Sequence, residues 1–200
     1  MIEAHYNHPS IYIWGILNEC ASHTEYGKEC YRKQYELIRQ LDQSRPRSSA
    51  SCQFKTDICF GLPEVVSYNI YPLWYHDTPV QDYLKGLYDW VQEESEGAGK
   101  PFLITETGAG AIYGSPHIPF QGKWSEDTRL MPLKNSWRRF SGRRAAAAFI
   151  SGSSATATCV TAGSAAGENM NNKGIVDEYR RPKLAYETVK RMFGSVDTYF

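Results

Sequence analysis

The 200-residue sequence balances 22 Lys and Arg against 22 Asp and Glu, with 42% hydrophobic residues, which describes one or at most two globular domains. It offers no basic stripe for nucleic acid and no apolar run long enough to span a bilayer, so neither a nucleic-acid nor a membrane partner is expected. The opening "MIEAH" lacks the charged and apolar regions of a signal peptide, and the chain reads as cytoplasmic.

Five cysteines, an odd number without a CxxC pair, argue for reduced thiols over a disulfide framework or zinc site. The 14 Tyr and 5 Trp suit a sugar-binding cleft and equally an ordinary core.

"IYIWGILNE", residues 11–19, reads as a buried strand led in by the turn "NHPS" and ending on a carboxylate. Helical spacing of Tyr31, Tyr35, Ile38 and Leu41 predicts a helix within 27–42, which "SRPR" breaks. "RSSASC" and "EVVSYNIY" follow as strands. Val80, Tyr83, Leu84, Leu87, Trp90 and Val91 then form one apolar helix stripe, with Pro79 near its start and "EGAGKP" ending it. "PFLITETG" is a second apolar strand ending in a carboxylate, before glycine-rich "GAGAIYG". In "RRPKLAYETVKRMF", Ala185, Val189, Met192 and Phe193 share a helix face, and Pro182 is placed as a first-turn residue.

Strands alternating with helices predict a parallel sheet, and closed barrels of this type carry their chemistry at the carboxyl ends of the strands. Glu19 and Glu106 fall there, as does "NIYPLWY". Burying an unpaired carboxylate costs several kcal/mol. Two strand-end glutamates suit glycoside hydrolysis, in which retention of configuration needs the two carboxyl groups about 5 Å apart.

"NHPSIYIWGILNE" resembles the acid/base strand of glycoside hydrolase family 2, and "YNIYPLWY" and "LITETGAGAIYG" resemble the sixth and seventh strands of that family's barrel, in the same order. The resemblance implies that Glu19 is the acid/base, Asn18 its partner towards the sugar 2-hydroxyl, and Glu106 the nucleophile. It implies a partial (β/α)8 TIM barrel, about strands four to eight, acting on a carbohydrate substrate without cofactor or metal. A raised pKa for the acid would follow from desolvation by neighbours such as Trp14 or Trp74.

Within the family the chain is most similar to the β-glucuronidases. "MNNKGIVDEYRRPK" resembles their Asn-x-Lys element, with Gly-Ile and a later Pro-Lys, which makes Asn171 and Lys173 clamps on a substrate carboxylate. Charge-assisted bonds are about twice as strong as neutral ones. The same resemblance lines the sugar site with Asn69, Tyr71, Trp74 and Tyr75. A β-galactosidase of the family and a non-catalytic remnant are the alternatives.

The match covers residues 1–125 as strands four to seven and 170–200 as the clamp loop and last helix, whereas 126–169 looks foreign where a helix and the eighth strand belong. With allowed codons in the neighbouring frame, 127–140 becomes "YQADALEEQLEAF", 150–156 becomes "YIWQFCD" and 160–164 becomes "RDGWF". This pattern predicts a lost base near Asp127 and a compensating gain near Asn169, with strand eight disrupted and the chain a truncated fragment, for which inactivity, aggregation and folding only as a fragment are the alternatives.

Overall fold

The computed structural model describes residues 1–115, 123–127, 157–158 and 170–194, with backbone alone for 157–158 and 170–171. These residues group into two compact units. Met1–Ile70 and Tyr83–Thr105 belong to the first, and residues 71–82, 106–115, 123–127, 157–158 and 170–194 belong to the second.

The first unit is built on a four-stranded sheet in the order β1 (Trp14–Asn18), β2 (Arg47–Ser51), β3 (Val66–Asn69), β4 (Phe102–Glu106). β1 pairs in parallel with β2, and β2 in parallel with β3. Sheet order therefore follows chain order, as the succession of strands and helices predicts for part of a (β/α)8 barrel. Every residue of β3 is buried, as expected of a strand covered on both faces.

A four-residue helix, α1 (Ile2–His5), precedes β1 and has no counterpart in the sequence reading. β1 itself is shorter than the predicted 11–19. Ile11, Tyr12 and Ile13 stand outside the ladder, and Tyr12 is exposed.

The helix α2 (Glu25–Leu41) connects β1 to β2. Thr24 caps it by accepting from the Gly27 N–H at 3.0 Å, a start signal three residues ahead of the predicted span. Tyr31 and Tyr35 turn inward to pack with Cys59, Ile16, Leu17, Ile58 and Leu62, while Leu41 remains exposed. Asp42 ends the helix in extended conformation. Its carboxylate accepts from Trp14 Nε1 at 2.8 Å and pairs with Arg45 at 2.7 Å.

The helix α3 (Val80–Glu94) connects β3 to β4, and all six residues of its predicted stripe are buried. The 14 residues between β2 and β3 form no helix of regular length.

In the second unit β5 (Ala157–Thr158) pairs antiparallel with β6 (Met170–Asn171), and α4 spans Leu184–Gly194. Ala185 and Val189 are buried as expected, but Phe193 is exposed. Pro182 is not a first-turn residue. It bridges to Val176 two residues before the helix begins, because Lys183 turns inward between them.

The predicted frame change falls almost wholly on residues 128–156 and 159–169, which lie outside the described residues. Cys20, Cys30, Cys52 and Cys59 are all unbridged. Among the described residues no helix is long and apolar enough to cross a membrane, and no His, Cys, Asp and Glu cluster could hold a metal ion.

Candidate active site

In the first unit, polar residues gather at the carboxyl ends of three strands. Between Gly15 and Asn18 the β1–β2 register shifts, and Glu19 beyond it adopts φ +53°. For a residue with a Cβ this left-handed conformation costs about 1–2 kcal/mol. The Glu19 N–H donates to Ala50 O at 2.9 Å, so the sheet itself holds the kink.

Asn69, at the end of β3, organises the cluster. Its Nδ2 donates to Asn18 Oδ1 and to Glu19 Oε1, both at 2.9 Å. Its Oδ1 accepts from Thr105 Oγ1 at 2.7 Å, which fixes the orientation of the amide. The sequence reading named Asn18, Glu19 and Asn69 but missed Thr105. Its place, immediately before the strand-end Glu106, is the signal that could have found it.

Trp14 does not desolvate Glu19. It is buried at the opposite end of β1 with its indole N–H committed to Asp42, and Glu19 is exposed. Asp42, held by Ser44, Trp14 and Arg45, titrates well below the usual carboxylate range.

In the second unit, Glu106 accepts from the Tyr71 hydroxyl at 2.6 Å. Above the Tyr71 ring lies the Lys173 ammonium, 4.0 Å from the centroid and 5.1 Å from that of Tyr75. Each cation–π contact of this kind contributes about 0.5–2 kcal/mol. Tyr71 thus touches the carboxylate with its hydroxyl and the cation with its face. Trp74 meets Trp124 edge-on at 4.8 Å and packs with Tyr71 and Ala109. A Cβ at Gly110 would stand 2.7 Å from the Trp124 ring, so "GAGA" needs glycine there. Of the proposed clamp, Lys173 is brought onto the tyrosines. Asn171 lies in β6, and its side chain is outside the described residues.

Residues 1–131 match the model of the glycosyl hydrolases family 2 TIM barrel domain. The chain belongs to that family. It is 61% identical to a family 2 β-galacturonidase from Eisenbergiella tayi, solved with galacturonate bound, at a TM-score of 0.92 over 100% of this chain and 36% of that one. A β-glucuronidase of Paenibacillus borealis is 27% identical over 96% of the chain and 32% of its own length. A β-glucuronidase structure from Dictyoglomus thermophilum shares the fold at a TM-score of 0.83 and 23% identity. The chain therefore spans about a third of the length of these relatives.

Two further residues of this family 2 chain escaped the sequence reading as polar anchors. Buried Glu126 accepts from the Gly114 N–H at 2.7 Å and from the Leu184 N–H, capping α4. Buried Lys183 donates to Ala111 O at 2.6 Å and Asn172 O at 3.1 Å. A separate cavity of about 550 Å³ lies at the α2–β2 connection, at the amino ends of the strands. Its Arg45 and Arg47 are already paired with Asp42 and Glu64, so it carries none of the carboxylate chemistry.

Proposed function

We propose that the chain carries the catalytic half-barrel of a retaining β-uronidase, with galacturonides as its preferred substrates, in which Glu106 is the nucleophile and Glu19 the acid/base. In the first step the Glu106 carboxylate bonds to the anomeric carbon while the glycosidic C–O bond breaks and Glu19 delivers its proton to the departing oxygen. In the second, Glu19 as carboxylate takes a proton from water, the resulting oxygen bonds to the anomeric carbon, and Glu106 is released.

The observation that carries this reading is the Lys173 ammonium, 4.0 Å above the same tyrosine ring whose hydroxyl donates to Glu106. A sugar carboxylate entering beside Tyr71 meets a fixed cation, and a neutral galactoside brings it nothing to bind. Asn69, Trp74, Tyr75 and Asn171 are proposed to contact the sugar, and Asn18 to bond its 2-hydroxyl. The 61% identity to the Eisenbergiella tayi enzyme favours galacturonides, while the Paenibacillus borealis relative supports glucuronides as the second reading. Residues 126–169 are proposed to be an interruption between two barrel segments, 1–125 and 170–200.

Nitrophenyl β-galacturonide, β-glucuronide and β-galactoside, offered to the intact gene product, test the reading. Hydrolysis in the order galacturonide, glucuronide, galactoside is expected. A preference for the galactoside overturns the uronidase assignment.

A further inference from the structure

We infer that Lys183 is a positioning residue: its buried ammonium ties the loop that bears Lys173 to the loop that follows Glu106, and so sets how well the protein recognises a sugar carboxylate. The inference rests on the reading of Lys173 as the carboxylate clamp.

Lys183 is only 2% exposed. Taking an ammonium out of water costs several kcal/mol unless well-placed acceptors surround it. Two of its acceptors are main-chain oxygens from different loops, Ala111 O at 2.6 Å and Asn172 O at 3.1 Å. Asn172 O also accepts from the Ala111 N–H at 3.0 Å, so a direct bond joins the two loops as well as the shared cation. Ala111 lies five residues beyond Glu106, and Asn172 is the residue immediately before Lys173.

A second tie fixes the clasp to the helix. Glu126 accepts from Gly114, in the loop after Glu106, and from Leu184, the neighbour of Lys183 and first residue of α4. The side chain that spans the loops therefore starts from a capped helix end. An ammonium suits this task because three donors diverge from one atom at the tip of a long stem. A methionine fills the same channel and leaves both carbonyls without that donor.

The test compares Lys183→Met and Lys173→Ala with the unsubstituted intact gene product on nitrophenyl β-galacturonide and nitrophenyl β-galactoside. For Lys183→Met, KM for the galacturonide should rise by about tenfold or more with kcat within about threefold, while the galactoside is affected far less. A role confined to stability would lower both substrates together through loss of active protein. Equal losses on the two substrates, or no change on either, overturn the inference.

Lys173→Ala separates this from the reading beneath it. If Lys173→Ala erases the uronide preference and Lys183→Met does not, only the role of Lys183 falls. If Lys173→Ala leaves the preference intact, the clamp itself is wrong and both fall. A gene product that turns over neither substrate also removes both. Should Lys183→Met not fold, as its melting curve will tell, Lys183→Arg carries the test. A guanidinium keeps the charge but displaces the donors, and an unaltered uronide preference in that variant overturns the inference.

Discussion

Glu19 and Glu106 each follow or end a strand of the same sheet, yet they are held in opposite ways. Glu19 stands on a left-handed kink and takes its hydrogen bond from an amide that is itself oriented by a threonine. Glu106 takes its bond from a phenol whose ring lies under an ammonium. The first arrangement is made of neutral amide and hydroxyl groups. The second couples the carboxylate to the proposed substrate clamp through Tyr71. On the proposed roles, the neutral setting belongs to the acid/base and the cation-linked one to the nucleophile.

Breaking the two carboxylates individually gives the largest effects. Glu106→Gln should lower kcat by at least about 10⁴-fold on every substrate, because no bond to the anomeric carbon can form. Glu19→Gln should lower it by about 10²–10⁴-fold on an alkyl glycoside and much less in the first step with a nitrophenyl leaving group, which needs little protonation. A burst of nitrophenol followed by slow turnover marks that asymmetry. Equal, burst-free losses in both variants would end the division of roles.

Tyr71→Phe sharpens the comparison at an intermediate size. It removes one hydrogen bond to a charged acceptor, about 1.5–3 kcal/mol, and keeps the ring beneath Lys173. The expected result is a fall in kcat of about 10–100-fold with KM for the uronide nearly unchanged. Asn69→Ala, which strips the amide from Asn18 and Glu19 while leaving Lys173 alone, should cost about 1–3 kcal/mol in kcat/KM for uronide and galactoside alike. Selective loss of uronide in Asn69→Ala would mean that the two regions are not independent.

Much of this was legible in the sequence, for physical reasons that also explain the gaps. α3 declared itself because six apolar residues recur at helical spacing, and all six are buried. β1 was overdrawn because Ile11 and Ile13 look like strand residues, whereas the ladder begins only where Pro46 O meets the Trp14 N–H. Glu19 and Glu106 stand out in the sequence as polar residues closing apolar runs, and Asn69 enters through the family resemblance. Thr105, Glu126 and Lys183 were missed because their partners are main-chain atoms or residues distant in sequence, and periodicity carries no trace of them. Trp14 was misassigned because one residue pattern cannot tell which end of a strand a ring covers. The proposed frame change is a statement about the gene. Sequencing the codons for residues 120–175 decides it, and stops or unrelated residues in the neighbouring frame would make 126–169 native.

The smallest expected effect concerns the support beneath Glu19. Asp57 is buried and accepts from Ser22, three residues beyond Glu19, and from the Cys59 N–H at 2.8 Å. Burial raises its carboxyl above the usual range, despite the hydrogen bonds from Ser22 and Ser51. A carboxyl raised in the folded state binds its proton more tightly there than in the unfolded chain. Below the ordinary aspartate pKa both states are protonated and Asp57 contributes nothing. As pH rises from there through the folded value, the unfolded chain loses its proton first and stability falls. Asp57→Asn keeps an acceptor for Cys59 and offers a donor to Ser22 Oγ, without the charge. Its melting temperature should therefore exceed that of the unsubstituted protein at pH 7, and the gain should shrink as pH falls towards 3. A gain that is the same at both pH values would mean that shape, not charge, decides. A loss at pH 7 would mean that the ionised carboxylate helps hold the turn after Glu19.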